Sequence, residues 1–387
     1  MKAPDMDTIE LLAKLVSFDT TSHRPNTALI DWAEDYLRPL GFTCTRVPSA
    51  CGSKANLVAS IGPADRPGII LSGHTDVVPV DDQDWKSDPF MLRLDETQLV
   101  GRGAVDMKGF LAACLNAAPK MAVASLNMPF HLAFSYDEEI GCVGAKQLTS
   151  WWQHNLGPQA ACFVGEPTQM EIVTGHKGNV AVRVRVKGSP AHSSLAPKAV
   201  NAIEVATDII SRIRQMAVDL ERNGPRDELF DIPFCTSCIG RIEGGIACNV
   251  VPEDCWFDAE FRYLPAVDSG AIVAELKRYA DDLVPMLRLK SHAAGIQVEE
   301  LLSYPGLDTS DDSPAVTLAR RCTQRNGSSK VAFGTEAGLF AEVTRTPTII
   351  IGPGNIEQAH KPNEFIEVSQ LAQCDRFLDR LITEACI

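Results

Sequence analysis

The order of elements in this chain predicts an α/β protein. Its main domain should hold a mostly parallel central sheet flanked by helices, interrupted by a ferredoxin-like α+β insert. Two observations carry this prediction. Aliphatic runs alternate with amphipathic helical stretches near both ends of the chain, the pattern of a parallel sheet. Between them, Val182-Arg183-Val184-Arg185-Val186 opens a stretch ordered strand-helix-strand-strand-helix-strand, which suits a small sheet covered on one face. At 387 residues and 45% hydrophobic, the chain is also long and apolar enough for two cores. The expected division is residues 1–178 and 296–387 for the main domain and 179–295 for the insert.

Asp7 to Phe18 carries Ile9, Leu12, Leu15 and Val16 at helical spacing, and Asn26 to Leu40 carries Leu29, Ala33, Tyr36 and Leu37, with Gly41 ending the helix. Ala55 to Ile61 and Gly68 to Gly73 read as strands. Asp81 to Phe90 is a polar loop, and Gly101-Arg102-Gly103 a tight turn. Met107 to Ala118 reads as a helix, which Pro119 should bend or end. Phe130 to Tyr136 and Ala161 to Val164 are strands on either side of a helix from Val143 to Trp152. In the insert, helices over Ala199 to Asn223 and Ser269 to Leu283 alternate with strands near Thr236 to Arg241, Cys255 to Arg262 and Gly295 to Leu301. Pro314 to Arg325, Glu336 to Glu342 and Val368 to Cys386 then read as helices, and Thr348 to Ile351 as a buried strand.

A net charge of −14 argues against nucleic acid or an anionic membrane as partner. No apolar run is long enough to span a bilayer, and Met1 to Glu10 has two aspartates and no apolar run, against a secretory signal. Twelve scattered cysteines, with Cys235 and Cys238 as a lone C-x-x-C, read as reduced thiols of a cytoplasmic protein.

Several polar residues follow buried segments. His74 and Asp76 end the strand Ile69 to Gly73; Asp106 sits in a turn feeding a helix; Asp137-Glu138-Glu139 follow Phe130 to Tyr136. Glu166 follows Ala161 to Val164, and His360 lies in the loop after Thr348 to Ile351. Singly, each has an ordinary explanation: a core histidine, an N-cap, a solvated acidic loop. Jointly, they would face one sheet edge, where α/β proteins place their sites. Imidazole and carboxylate together suit borderline divalent cations such as Zn²⁺.

Ser72-Gly-His-Thr-Asp, Gly101-Arg-Gly-Ala-Val-Asp, Asp137-Glu-Glu, Gly165-Glu-Pro-Thr and Gln358-Ala-His-Lys-Pro together resemble the M20 family of two-metal amidohydrolases and exopeptidases. The resemblance implies that His74, Asp106 and Glu166 hold one divalent ion and Asp106, Glu139 and His360 the other, with zinc or cobalt as the metal. It implies that Glu138 is the general base, that Asp76 orients His74, and that His192 reaches the site from a neighbouring subunit of a homodimer. The insert becomes a lid and dimerisation domain. Ala104-Val105 stands where the family more often has threonine and alanine.

Further matches, Phe134-Ser-Tyr-Asp-Glu-Glu, His192-Ser-Ser-Leu-Ala-Pro and the run from Ser329, imply a small N-acyl amino acid as substrate, specifically N2-acetyl-L-ornithine. Succinyl-diaminopimelate or another N-acyl amino acid is the alternative, and a non-catalytic metal-binding protein a further one. Arg262 is the candidate for the substrate α-carboxylate, since a guanidinium binds it bidentately. Asn249 is expected to add an amide contact. Glu336, a lone acid in Gly334-Thr-Glu-Ala-Gly338, is expected to meet the δ-ammonium.

Overall fold

The computed structural model describes residues 6–387; the first five residues, part of the stretch read above for a secretory signal, lie outside the described residues. The chain divides into two compact units. One comprises Met1–Gly175, Leu307–Lys330 and Thr335–Ile387, the other His176–Gly306 and Val331–Gly334.

The first unit is built on a sheet that has nine strands among the described residues. Phe130–Ser135, Ile69–His74, Ala161–Val164 and Thr348–Ile350 run parallel at its centre. Every residue of these four strands is buried, which is why they read as unbroken apolar runs: helices cover both faces. Thr8–Val16, Gly109–Val123, Pro314–Thr323 and Val368–Ala385 share a core with one face. Val143–Asn155 and Ala337–Thr344 cover the other, where the Trp152 and Phe340 rings meet edge-on at 6.1 Å. Toward one edge the sheet turns antiparallel, Thr43–Pro48 pairing with Ala55–Ile61. That edge strand escapes a reading by hydrophobicity because only Val47 in it is buried.

Pro119 does not end its helix, which continues to Val123. A proline inside a helix costs about 3 kcal/mol. Burial of Leu111, Ala112, Leu115, Ala118 and Met121 along the same helix offsets that cost.

In the second unit, the strands lie in the order Thr236–Gly244, Asp254–Tyr263, Gly178–Lys187, Gly295–Tyr304, all antiparallel. With helices Ala202–Asn223 and Ser269–Lys290 between them, this is the ferredoxin-like arrangement. Phe257, Ala259 and Phe261 sit opposite Val184, Val182 and Val180, and this alternating set is buried under the helices. The outer face is polar: Arg183 pairs with Asp258 at 2.6 Å, and Arg183 and Arg241 stack on Trp256. The boundary expected at residue 295 is corrected to 306. The Gly295–Tyr304 strand pairs with Gly178–Lys187 along its length and so belongs to the insert.

Two separate cores imply that a deletion in one is felt locally. Phe257 is fully buried. Its replacement by alanine is expected to destabilise the second unit by about 3–5 kcal/mol, seen as a lower urea midpoint. Alanine at the exposed Lys277 should cost less than about 0.5 kcal/mol.

Candidate metal centre

The parallel register decides where the polar residues emerge. His74 pairs with Ser135, and Ser72 with Val164. Residues just beyond those positions, Asp137 to Glu139 on one neighbour and Glu166 on the other, therefore leave the sheet beside His74. The structure brings His74, Asp106, Glu138, Glu139, Glu166 and His360 together.

Asp106 stands between the two imidazoles. Its Oδ1 lies 3.0 Å from His74 Nε2 and its Oδ2 3.2 Å from His360 Nε2. Glu139 lies 3.1 Å from His360 Nε2, and Glu166 3.8 Å from His74 Nε2. Donor atoms of His74, Asp106 and Glu139 fall within 4.8 Å of one another, as do those of His74, Glu138 and Glu166. Nδ1 of His74 donates to the main-chain oxygen of Asp76 at 2.9 Å. A carbonyl can only accept, so that nitrogen carries the proton and Nε2 is the one offered to a ligand.

Four of these side chains are carboxylates, and among the described residues no lysine or arginine pairs with any of them. Burial, then the charge of Asp106, pushes Glu166 well up, and the same two causes raise Glu139 to about 7. Burial raises Glu138 to about 8, with Glu139, Asp76 and Asp106 adding to it against His74. Burial also works against charge on Asp106, yet hydrogen bonds from His360 and His74 hold it below the usual carboxylate range. His360 is raised to about 10 by its bonds to Asp106 and Glu139. Buried anionic oxygens beside two imidazoles, without a fixed cation, are a donor set that fits divalent metal ions.

Asp76 differs in detail from expectation. Its backbone, more than its carboxylate 3.6 Å away, holds His74. The carboxylate accepts the amides of Glu138 and Glu139 at 3.1 and 3.3 Å and the Ser22 hydroxyl at 2.9 Å, fixing the acidic turn. Lys54 pairs with Asp137 and so keeps that residue out of the cluster. The Glu138 carboxylate pairs with neither imidazole; the Cys142 thiol points at it from 3.4 Å.

Glu336 is corrected. It is wholly buried beneath the sheet, its oxygens accepting the hydroxyls of Ser72 and Ser135, each at 2.6 Å. With no exposed surface, it offers a substrate ammonium no approach. Burial pushes it up, and the two hydroxyls hold it back.

His192, Asn249 and Arg262 belong to the second unit. There, the amide after His192 donates to the Asn249 carbonyl at 2.9 Å, and both side chains are exposed. The Arg262 guanidinium reaches the Tyr304 hydroxyl at 3.0 Å and Glu260 at 3.3 Å. Two residues assigned no role by the sequence analysis also bear on the site. Arg102 and Glu364 form a buried ion pair at 2.7 Å, and Glu364 Oε1 accepts the amides of Val105 and Asp106. Neither position lies in an apolar pattern, and 262 residues separate them in sequence.

Comparison with known proteins agrees with this geometry. Residues 70–384 match Peptidase family M20/M25/M40. The chain is 34% identical over 380 residues to acetylornithine deacetylase of Myxococcus xanthus, covering 97% of this chain and 96% of that one. It is 32% identical to the protein of that name from Klebsiella pneumoniae (strain 342), covering 93% and 91%. Among solved structures, an M20 family metallo-carboxypeptidase from Sulfolobus solfataricus superposes with a TM-score of 0.79 at 19% identity, covering 98% of this chain and 100% of that one. The aminopeptidase PepT from Bacillus cereus ATCC 10987 gives 0.76 at 21% identity, with 100% of both chains covered. The chain belongs to peptidase family M20/M25/M40, and with it to the metal-dependent hydrolases.

Proposed function

We propose that this protein hydrolyses N2-acetyl-L-ornithine to L-ornithine and acetate, using two divalent ions, zinc or cobalt. The observation that carries the reading is Asp106, set with one oxygen toward each imidazole among carboxylates that no lysine or arginine pairs with among the described residues. Near-full-length similarity to acetylornithine deacetylases supports the choice of substrate.

His74, Asp106 and Glu166 would hold one ion and Asp106, Glu139 and His360 the other. Bound there, the ions supply Lewis acidity for the acyl oxygen and lower the pKa of a water. Beside such positive charge the Glu138 carboxylate would be ionised and able to take a proton. Glu138 takes one proton from the attacking water, whose oxygen forms the new bond to the acetyl carbon. As the carbon–nitrogen bond breaks, Glu138 returns that proton to the departing α-amine, giving acetate and ornithine. The Asp76 carboxylate holds Glu138 at the right place by its backbone amide.

His192, Asn249 and Arg262 are the proposed substrate contacts, with Arg262 taking the α-carboxylate. The guanidinium is already oriented by Tyr304 and Glu260 within its own unit. The second unit is also the proposed contact of a homodimer; Thr236–Gly244 and Gly295–Tyr304 are its sheet edges.

A side-by-side assay on acetylornithine, succinyl-diaminopimelate and acetylmethionine tests the substrate. Acetylornithine is expected to give the highest kcat/KM; a higher value for either competitor would reassign it. Dialysis against a chelator should abolish activity, and added Zn²⁺ or Co²⁺ should restore it. Glu138→Gln is expected to lower kcat by about 10²–10⁴-fold while metal content stays at the wild-type level. Unchanged kcat would remove Glu138 from the proton transfer.

A further inference from the structure

The Arg102–Glu364 pair is buried on both sides, and a buried ion pair is a poor source of stability, since apolar residues of similar size commonly serve as well. This one even leaves Nε of Arg102 without a partner. What distinguishes it is where its other bonds go. Glu364 Oε1 accepts the amide of Asp106 itself at 3.2 Å and that of Val105 at 3.0 Å, and the Glu364 carbonyl accepts the Gly101 amide at 2.9 Å. Arg102 reaches the carbonyls of Pro79 at 3.3 Å and Lys361 at 3.4 Å, and it bonds Gln83. Gln83 in turn donates to the main-chain oxygen of His360 at 3.3 Å.

The pair thus fastens together the turn carrying Asp106 and the loop carrying His360. That loop has little support of its own. His360 and Asn363 both adopt left-handed backbone, φ +63° and +58°, and the His360 side chain is 52% exposed. His74 and Glu166, in contrast, sit at the ends of paired parallel strands, and His74 meets this network only through Asp106 Oδ1 at 3.0 Å.

We propose that Arg102 and Glu364 are positioning residues for Asp106 and His360, so that without them the Asp106–Glu139–His360 subsite, which depends on both, loses more affinity than the His74–Asp106–Glu166 subsite, which shares only Asp106. The proposal rests on the two-ion reading above. No bond is made or broken in it. The pair acts only through the backbone of the ligand-bearing residues.

The test is metal binding, read without turnover. Chelator-stripped chain is titrated with Zn²⁺ by calorimetry, and bound metal is counted by mass spectrometry after dialysis. In Glu364→Gln, which keeps shape but loses the charge, one of the two dissociation constants is expected to rise about 10–100-fold and the other distinctly less. Gln83→Met, on a half-buried loop, cuts the link from Arg102 to His360 while leaving the Arg102–Glu364 contact in place, and should give a smaller rise in the same constant. Both constants unchanged in the two variants, or both raised by the same factor, would overturn the proposal. If Glu364→Gln does not fold, Gln83→Met decides alone. A wild-type chain that binds fewer than two ions would instead sink the two-ion reading, and this proposal with it.

Discussion

Four buried or half-buried carboxylates meet two imidazoles at the carboxyl edge of one parallel sheet, and among the described residues no lysine or arginine pairs with them. Two like charges about 4 Å apart repel by about 4 kcal/mol at an effective dielectric of about 20, and oxygens of Asp106 and Glu139, and of Glu138 and Glu166, come within 4.8 Å of each other. The folded chain answers this in part by hydrogen bonds from His74 and His360 to Asp106 and by the raised proton affinity of Glu138, Glu139 and Glu166. Divalent ions would answer it more fully, and nearly every other feature of the first unit can be related to holding that unfavourable arrangement in place.

The sheet does the coarse work. Parallel strands with both faces covered present their ends together, so residues from positions 74, 138 and 166 arrive side by side although far apart in sequence. Finer placement comes from carboxylates that do not face the pocket. Asp76 pins the amides of Glu138 and Glu139; Glu336 ties the strands behind His74 and Glu138 through Ser72 and Ser135; Glu364 pins the amide of Asp106. Three buried acids are thus spent on backbone and hydroxyl groups. Their own desolvation is met by those hydrogen bonds, as buried polar groups require.

Much of this was legible in the chain. An apolar run ending in His74, or in Asp137-Glu138-Glu139, announces both a buried strand and a polar group at its end, and the M20-like motifs name the same positions. The insert was legible because alternation of arginine and valine is a local signal. Four things escaped. The Thr43–Pro48 strand lies on an edge, where exposure erases the hydrophobic pattern. The extent of the insert depends on the pairing of Gly295–Tyr304, which no local sequence feature reports. Glu336, a lone acid between glycines, read as a contact for the substrate ammonium; its partners, Ser72 and Ser135, lie 264 and 201 residues away, and only the folded sheet brings them under it. Arg102 and Glu364 were hidden for the same reason.

The central claim is that this pocket gathers negative charge in order to hold a pair of metal ions about Asp106. Crystals grown with zinc and measured at its absorption edge test it most directly. The account predicts two anomalous peaks, about 3.5–4 Å apart as in two-metal sites, with the Asp106 carboxylate between them. A pocket without anomalous signal in zinc-loaded crystals, or a single ion that Asp106 does not touch, would contradict it.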